Sequence, residues 1–266
     1  CRGWADQLEA TFGGRVAPMQ FAPQEADPFI LLVHHRHAFR PFDFLRPLFS
    51  AVIMPEGFPA HPHRGFETVT YVLPGRAGLT HRDSEGTKMR YGDGAVQWMT
   101  AGRGMLHEEM WDIDAGSDAE LYQLWVNLPP AAKFAEPRVT VLLPEQDGSG
   151  GKAVEVQREG NTPVRRGRVL DETRAQGAVR VRTLADSSRP HCDEQNAAGC
   201  AETYSPMVIE HVELHSEGAT YTLPLPEGWT CLVYVRKGAV GFGGAGGGDA
   251  NANAGGAVPG IASMHE

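Results

Sequence analysis

Thr68-Val-Thr-Tyr-Val-Leu73, closed by Pro74-Gly75, is the stretch on which the fold class turns. A short run of β-branched and aromatic side chains stopped by a turn dipeptide reads as a strand. The same pattern repeats on both sides of it, at Ile30 to His34, Phe49 to Met54, Ala95 to Met99 and Leu121 to Leu128. Gly57 with Pro59, and Tyr91-Gly-Asp-Gly94, supply further turns. Short apolar runs at this density predict an all-β sandwich or barrel rather than alternating helices and strands. Only Trp4 to Phe12 and Pro130 to Ala135 read as helical.

Beyond residue 143 the composition shifts to Gly, Arg, Glu, Asn and Ser, with strand-like islands at Ala153 to Gln157 and Ala178 to Leu184. Strands are expected again at Met207 to Leu214, Tyr221 to Leu225 and Cys231 to Arg236, as part of a second barrel. Residues 243–262 are almost all Gly, Ala, Asn and Asp, too poor in bulky apolar groups to offset their ordering entropy. The expected organisation is residues 1–143 as a metal-binding barrel, 144–203 as a looped connector, 204–243 as a partial second barrel and 244–266 as a disordered tail.

The formal net charge of −9 argues against general affinity for nucleic acid or anionic membranes, which need clustered Lys and Arg. No apolar run reaches the roughly 18 residues that a membrane helix needs. Cys1, Cys192, Cys200 and Cys231 show no tight paired spacing, so a reduced compartment, cytoplasmic, nuclear or organellar, is the expectation. The first residue is Cys rather than Met, so targeting stays open.

Chemistry concentrates in two pairs. His61 and His63 sit at i and i+2 in Gly57-Phe-Pro-Ala-His-Pro-His-Arg-Gly-Phe-Glu67, and in an extended segment their imidazoles share a face. His107 and Glu109 repeat that spacing in Ala101-Gly-Arg-Gly-Met-Leu-His-Glu-Glu-Met110. On neighbouring strands the pairs give three nitrogens and one carboxylate, a set that suits a divalent first-row metal. A histidine on a strand is more often structural than a ligand, and here it is the mutual support of the two pairs that favours metal. Glu67 is the rival carboxylate, an even number of residues past His63 and read as a hydrogen-bond partner behind the ligands. Glu108 should face solvent, and His81, within the polar run Thr80-His-Arg-Asp-Ser84, should be exposed. The consecutive His34-His-Arg-His37 sends alternate side chains to opposite faces and cannot converge as a unit. Arg64 and Arg103 flank the pairs as ion-pair partners or as guides for an anionic or phenolic ligand.

The chain resembles the pirin family of bicupin proteins. The resemblance rests on Asp27-Pro-Phe-Ile30, on His61 to Thr68, on Gly92 to Met110 and on Gln123-Leu-Trp-Val-Asn-Leu128. Tyr204-Ser-Pro-Met207, Tyr221 to Trp229 and Val233 to Gly238 carry a weaker likeness to the family's C-terminal cupin. It implies two cupin barrels, with the N-terminal one complete and the C-terminal one partial. It also implies a non-haem Fe(2+) held by His61, His63, His107 and Glu109, although ligand chemistry also accepts manganese, zinc, nickel or copper.

Two activities follow from the resemblance. One is a dioxygenase that opens a flavonol such as quercetin with dioxygen, with Glu109 as ligand and base and Phe58, Phe66, Met99 and Met105 as candidate walls. The other is a redox-responsive nuclear cofactor that binds a transcription regulator without turnover. A cupin-type binding or isomerase module that uses zinc, manganese or nickel is a third possibility.

Overall fold

The computed structural model describes residues 14–37, 57–112, 118–144, 154–158, 164–189 and 201–242. The strand read at Phe49 to Met54, the helix at Trp4 to Phe12, Cys192, Cys200 and the Gly-rich tail lie outside them. The fold is all-β. Its strands are β1 (Gly14–Gln20), β2 (Phe29–His37), β3 (Gly57–His63), β4 (Phe66–Val72), β5 (Leu79–Asp83), β6 (Thr87–Tyr91), β7 (Val96–Thr100), β8 (Met105–Trp111), β9 (Ala119–Asn127) and β10 (Arg138–Leu143). There follow β11 (Val154–Arg158), β12 (Arg165–Arg168), β13 (Leu170–Arg174), β14 (Val179–Asp186) and β15 (Val208–Leu214). The expected helix after Pro130 is a single 3-10 turn, Pro130–Ala132. Among the described residues no helix is long and apolar enough to cross a membrane.

Seven strands pair in the order β1-β2-β9-β4-β7-β10-β12 and five in the order β11-β6-β5-β8-β3. Their facing sides enclose one core, with Val72, Met99, Leu121 and Val141 from the first sheet and Leu79, Met89, Tyr91, Met105 and Trp111 from the second. Two facing sheets around one core agree with the sandwich or barrel that the strand pattern predicts. Period-two alternation explains the assignment of side chains to faces. On β4, Val72 turns into this core while Val69 and Tyr71 turn outward.

The outward side is also buried. A third sheet, β13-β14-β15, together with Ala201 and Met207, joins Val69, Tyr71, Val96 and Trp98 in a second cluster through Leu184, Ala185 and Ile209. Strands covered on both faces lose the exposed alternate positions of a half-buried strand, and Val96-Gln-Trp-Met-Thr100 is accordingly buried along its whole length. The islands at 153–157 and 178–184 are β11 and β14, whereas β12 and β13 arise in Arg-rich sequence without an apolar pattern.

The strands expected at Tyr221 to Leu225 and Cys231 to Arg236 do not form: residues 222–242, the described part of the unit that begins at Thr222, hold no helix or strand. Pro224 and Pro226 lack the N–H that a ladder needs, and no described strand pairs with this segment.

Candidate metal centre

Antiparallel pairing of β3 with β8 sets His61 opposite His107 and His63 opposite Met105. A bulge between Phe58 and His61 then brings Phe58 opposite Glu109. Gly57 permits the close crossing: its φ is +146°, and a Cβ there would lie 2.4 Å from the Glu109 carbonyl oxygen.

The imidazoles of His61, His63 and His107 converge. Their ring centroids lie 4.5 to 4.8 Å apart, and one nitrogen from each falls within 4.8 Å of the others. His61 Nδ1 donates to the Pro59 carbonyl at 2.7 Å, which leaves its Nε2 lone pair facing His107 Nε2 at 3.2 Å. Two nitrogens bound about 2.1 Å from one ion at tetrahedral or octahedral angles would stand about 3.0–3.4 Å apart, so this spacing fits a shared metal. His63 Nε2 and His107 Nδ1 are buried with no hydrogen-bond partner among the described residues. Burial and then the His61 charge hold His63 down at about 4, and burial followed by the His81, His63 and His61 charges holds His107 down to about 2. Both imidazoles are therefore neutral at physiological pH, with lone pairs available for a cation.

Glu109 follows His107 on the same face of β8 and is fully buried. Its Oε1 accepts from the Tyr91 hydroxyl at 2.5 Å and the Thr70 hydroxyl at 3.3 Å, and its Oε2 accepts from Gln123 Nε2 at 2.9 Å. Trp125 Nε1 donates to Gln123 Oε1 at 3.0 Å and so orients that amide. Glu109 forms a second trio with His107 and His81, again with ligand atoms within 4.8 Å of one another. The structure thus gathers the three predicted histidines at one point and joins Glu109 to them through His107.

Two expectations are overturned. His81 is fully buried rather than exposed, because alternation on β5 turns Thr80 and Arg82 out and His81 in, opposite Glu109. Gln97 Nε2 donates to its Nδ1 at 2.8 Å, and its Nε2 donates to Asp83 at 2.9 Å. Burial alone would raise the Asp83 carboxyl, but hydrogen bonds from His81 and Thr87 outweigh it and hold the group below its ordinary range. The i, i+2 spacing of His81 and Asp83 was the available signal. Glu67 lies on the opposite face from the histidines, bonded to Thr100 at 2.6 Å, because Gly65, at φ +79°, breaks the extended run and passes the chain to the other sheet. Burial raises its carboxyl above the ordinary range.

The His34 to His37 run divides by face as expected. His34 bonds Glu120 at 2.9 Å, while His35 packs edge-on against Trp111 and Phe58. Arg103 pairs with Glu136 at 2.7 Å, and Arg64 lies over the Phe134 ring. Glu108 sits near Arg82 at 3.8 Å, both on the outer side. Phe66 stacks on Trp125, and His63 meets both in T-shaped contacts with ring centroids 4.9 and 5.3 Å away, whereas Met99 and Met105 are core residues. Sequence reading quoted Thr70, Tyr91, Gln123 and Trp125 only within a strand, a turn or a family stretch, and gave none of them a role at the site.

A family model described as Pirin matches residues 14–126. A pirin-like protein of Arabidopsis thaliana is 33% identical over 245 residues, covering 90% of this chain and 68% of that protein. A Pseudomonas aeruginosa protein named provisionally as a quercetin 2,3-dioxygenase is 35% identical over 224 residues, covering 83% of this chain and 64% of its own length. A crystal structure of quercetin 2,3-dioxygenase from Acinetobacter baumannii aligns with TM-score 0.50 and 27% identity, over 75% of this chain and 58% of that one. The chain thus spans less than two thirds of the length of these last two relatives, and its all-β architecture is consistent with the cupin fold.

Proposed function

The chain belongs to the pirin family, and on that premise we propose that it is an iron-dependent dioxygenase that opens a flavonol such as quercetin, with His61, His63, His107 and Glu109 as metal ligands. The observation that carries this reading is the convergence of three imidazoles, with His61 and His107 facing each other through Nε2 and with His63 Nε2 buried and lacking any described partner. The resemblance to proteins named for quercetin cleavage supports the choice of substrate. A bound divalent metal would polarise a substrate hydroxyl and favour its ionised form, and the electrons that dioxygen takes up would come from the flavonol itself.

The protein's own groups do the rest. Nitrogens held neutral by burial offer lone pairs without first releasing protons. Phe66 and Trp125, stacked on each other beside His63, supply an aromatic boundary against which a polyphenol ring can pack. Glu109 is the proton acceptor: its carboxylate is oriented by Tyr91, Thr70 and Gln123, and can take the proton of a substrate hydroxyl.

A second reading, a metal-dependent adaptor that docks on a transcription regulator without turnover, is favoured by one observation. Leu106, next to His107, and Phe134, beneath Arg64, are 54% and 68% exposed. Metal analysis and oxygen uptake with quercetin, on the wild type and on His61→Ala and Glu109→Ala, separate the two. Iron near one per chain with flavonol-dependent oxygen uptake, both lost in His61→Ala, is the expected result. Retained iron with no oxygen uptake would end the enzyme reading and leave the adaptor.

A further inference from the structure

We propose that Tyr91 is a positioning residue that tethers the Glu109 carboxylate away from the point where the three histidines meet, and so sets how firmly Glu109 engages a metal there. The inference rests on the metal-site reading above and deepens it. Tyr91 ends β6 and is almost wholly buried, so its hydroxyl needs a partner inside the protein, and it donates to Glu109 Oε1 at 2.5 Å. A phenol donating to a carboxylate at that distance is a charge-assisted bond, among the stronger kinds available to a side chain.

The tether is anchored from both sheets. Tyr91 holds Oε1 from the five-stranded sheet, while Thr70 on β4 and Gln123 on β9 hold the same carboxylate from the seven-stranded one. Three donors leave about one of the carboxylate's roughly four lone-pair sites for a cation. Glu109 keeps within 4.8 Å of the ligand nitrogens of His107 and His81, and the trio of His61, His63 and His107 gathers without it. Closer engagement with a metal at the trio draws the carboxylate toward His61 and His63, and so away from Tyr91. A carboxylate loosely bound to the metal and firmly held by its donors stays available as a proton acceptor. Free of the tether, it would act as a permanent ligand.

Tyr91→Phe keeps the ring and removes the tether. Cobalt(II) is the probe, because its affinity and visible bands are read without turnover. Tyr91→Phe should bind cobalt about tenfold more tightly than the wild type, the scale of one hydrogen bond to a charged group. Its visible absorptivity should fall as the coordination number rises. In a Glu109→Gln background the same substitution should change neither. Unchanged or weaker binding in Tyr91→Phe, with near-ultraviolet circular dichroism like that of the wild type, overturns the tether, as does an equal effect in the Glu109→Gln background. If the wild type binds cobalt no better than His61→Ala does, the metal site itself is wrong and both readings fall. Histidine-dependent binding that ignores Tyr91 sinks only this one.

Discussion

Acidification from about pH 7 to about pH 5 should destabilise the metal-free protein through its buried imidazoles, and His63 allows the effect to be isolated. Its folded imidazole protonates at about 4, against an ordinary 6.5 in the unfolded chain. Between those values the unfolded state binds a proton that the native state refuses. Stability therefore rises with pH across that window, is fully present above 6.5 and is lost as the pH falls. At about pH 5 the unfolded imidazole is nearly all charged and the folded one nearly all neutral, which amounts to a loss of about 2 kcal/mol relative to pH 7. His107, lowered further still, contributes in the same direction. Glu67 opposes both, because its raised carboxyl takes up a proton in the native state before the unfolded one does. The informative quantity is therefore a difference of differences. Denaturant melts of apo wild type and His63→Asn at both pH values should show a loss smaller by about 2 kcal/mol in the variant. Equal losses would refute the buried, neutral imidazole on which the proposed site depends.

Gly57→Ala should cost about 1–3 kcal/mol and weaken metal binding, since its Cβ would press on the Glu109 carbonyl at a φ of +146°. Thermal melts and metal titration read both effects, and a variant as stable as the wild type would contradict the close crossing. Glu67→Gln should cost less than about 1 kcal/mol at acid pH, and less there than at neutral pH, because burial raises the native carboxyl above its ordinary range and the neutral amide then stands in for a neutral acid. A much larger loss in denaturant melts would mean that the charged form is the native one. Removing metal with a chelator should lower the melting temperature, and re-adding it to about 100 times its Kd should restore about 2.7 kcal/mol. A melting temperature indifferent to metal would count against a site formed only in the native state.

What could be read from the sequence was what depends on local spacing. The i, i+2 rule is enough to aim His61 and His63 at one point and to place His107 and Glu109 together on one face of β8. The same rule failed where the chain stopped being straight. Glu67 keeps an even separation from His63, but Gly65 lies between them and reverses its face. His81 failed for another reason: a polar neighbourhood suggests solvent, yet its partners Gln97 and Asp83 make a buried histidine affordable. The donors to Glu109 come from β4, β6 and β9, so only the folded sheets bring them together. Strands β12 and β13 carry mostly Arg, Asp and Glu, with Leu170 as their one large apolar residue, and their pairing is decided by neighbours that no local pattern announces.

The third sheet bears on how far the barrel can be treated as a separable module. Trp98 and Tyr71 look away from the histidines, yet each is next in sequence to a residue of the site network, Gln97 for His81 and Thr70 for Glu109. Leu184, Ala185 and Met207 close over that outer side, and the Tyr71 hydroxyl meets His211 at 3.0 Å. A fragment ended after β12 would leave the back of the site's own wall wet and unsupported. Chain far from the imidazoles therefore serves as the outer brace of the chamber they occupy, and damage there should be felt as slackness in Thr70 and Gln97.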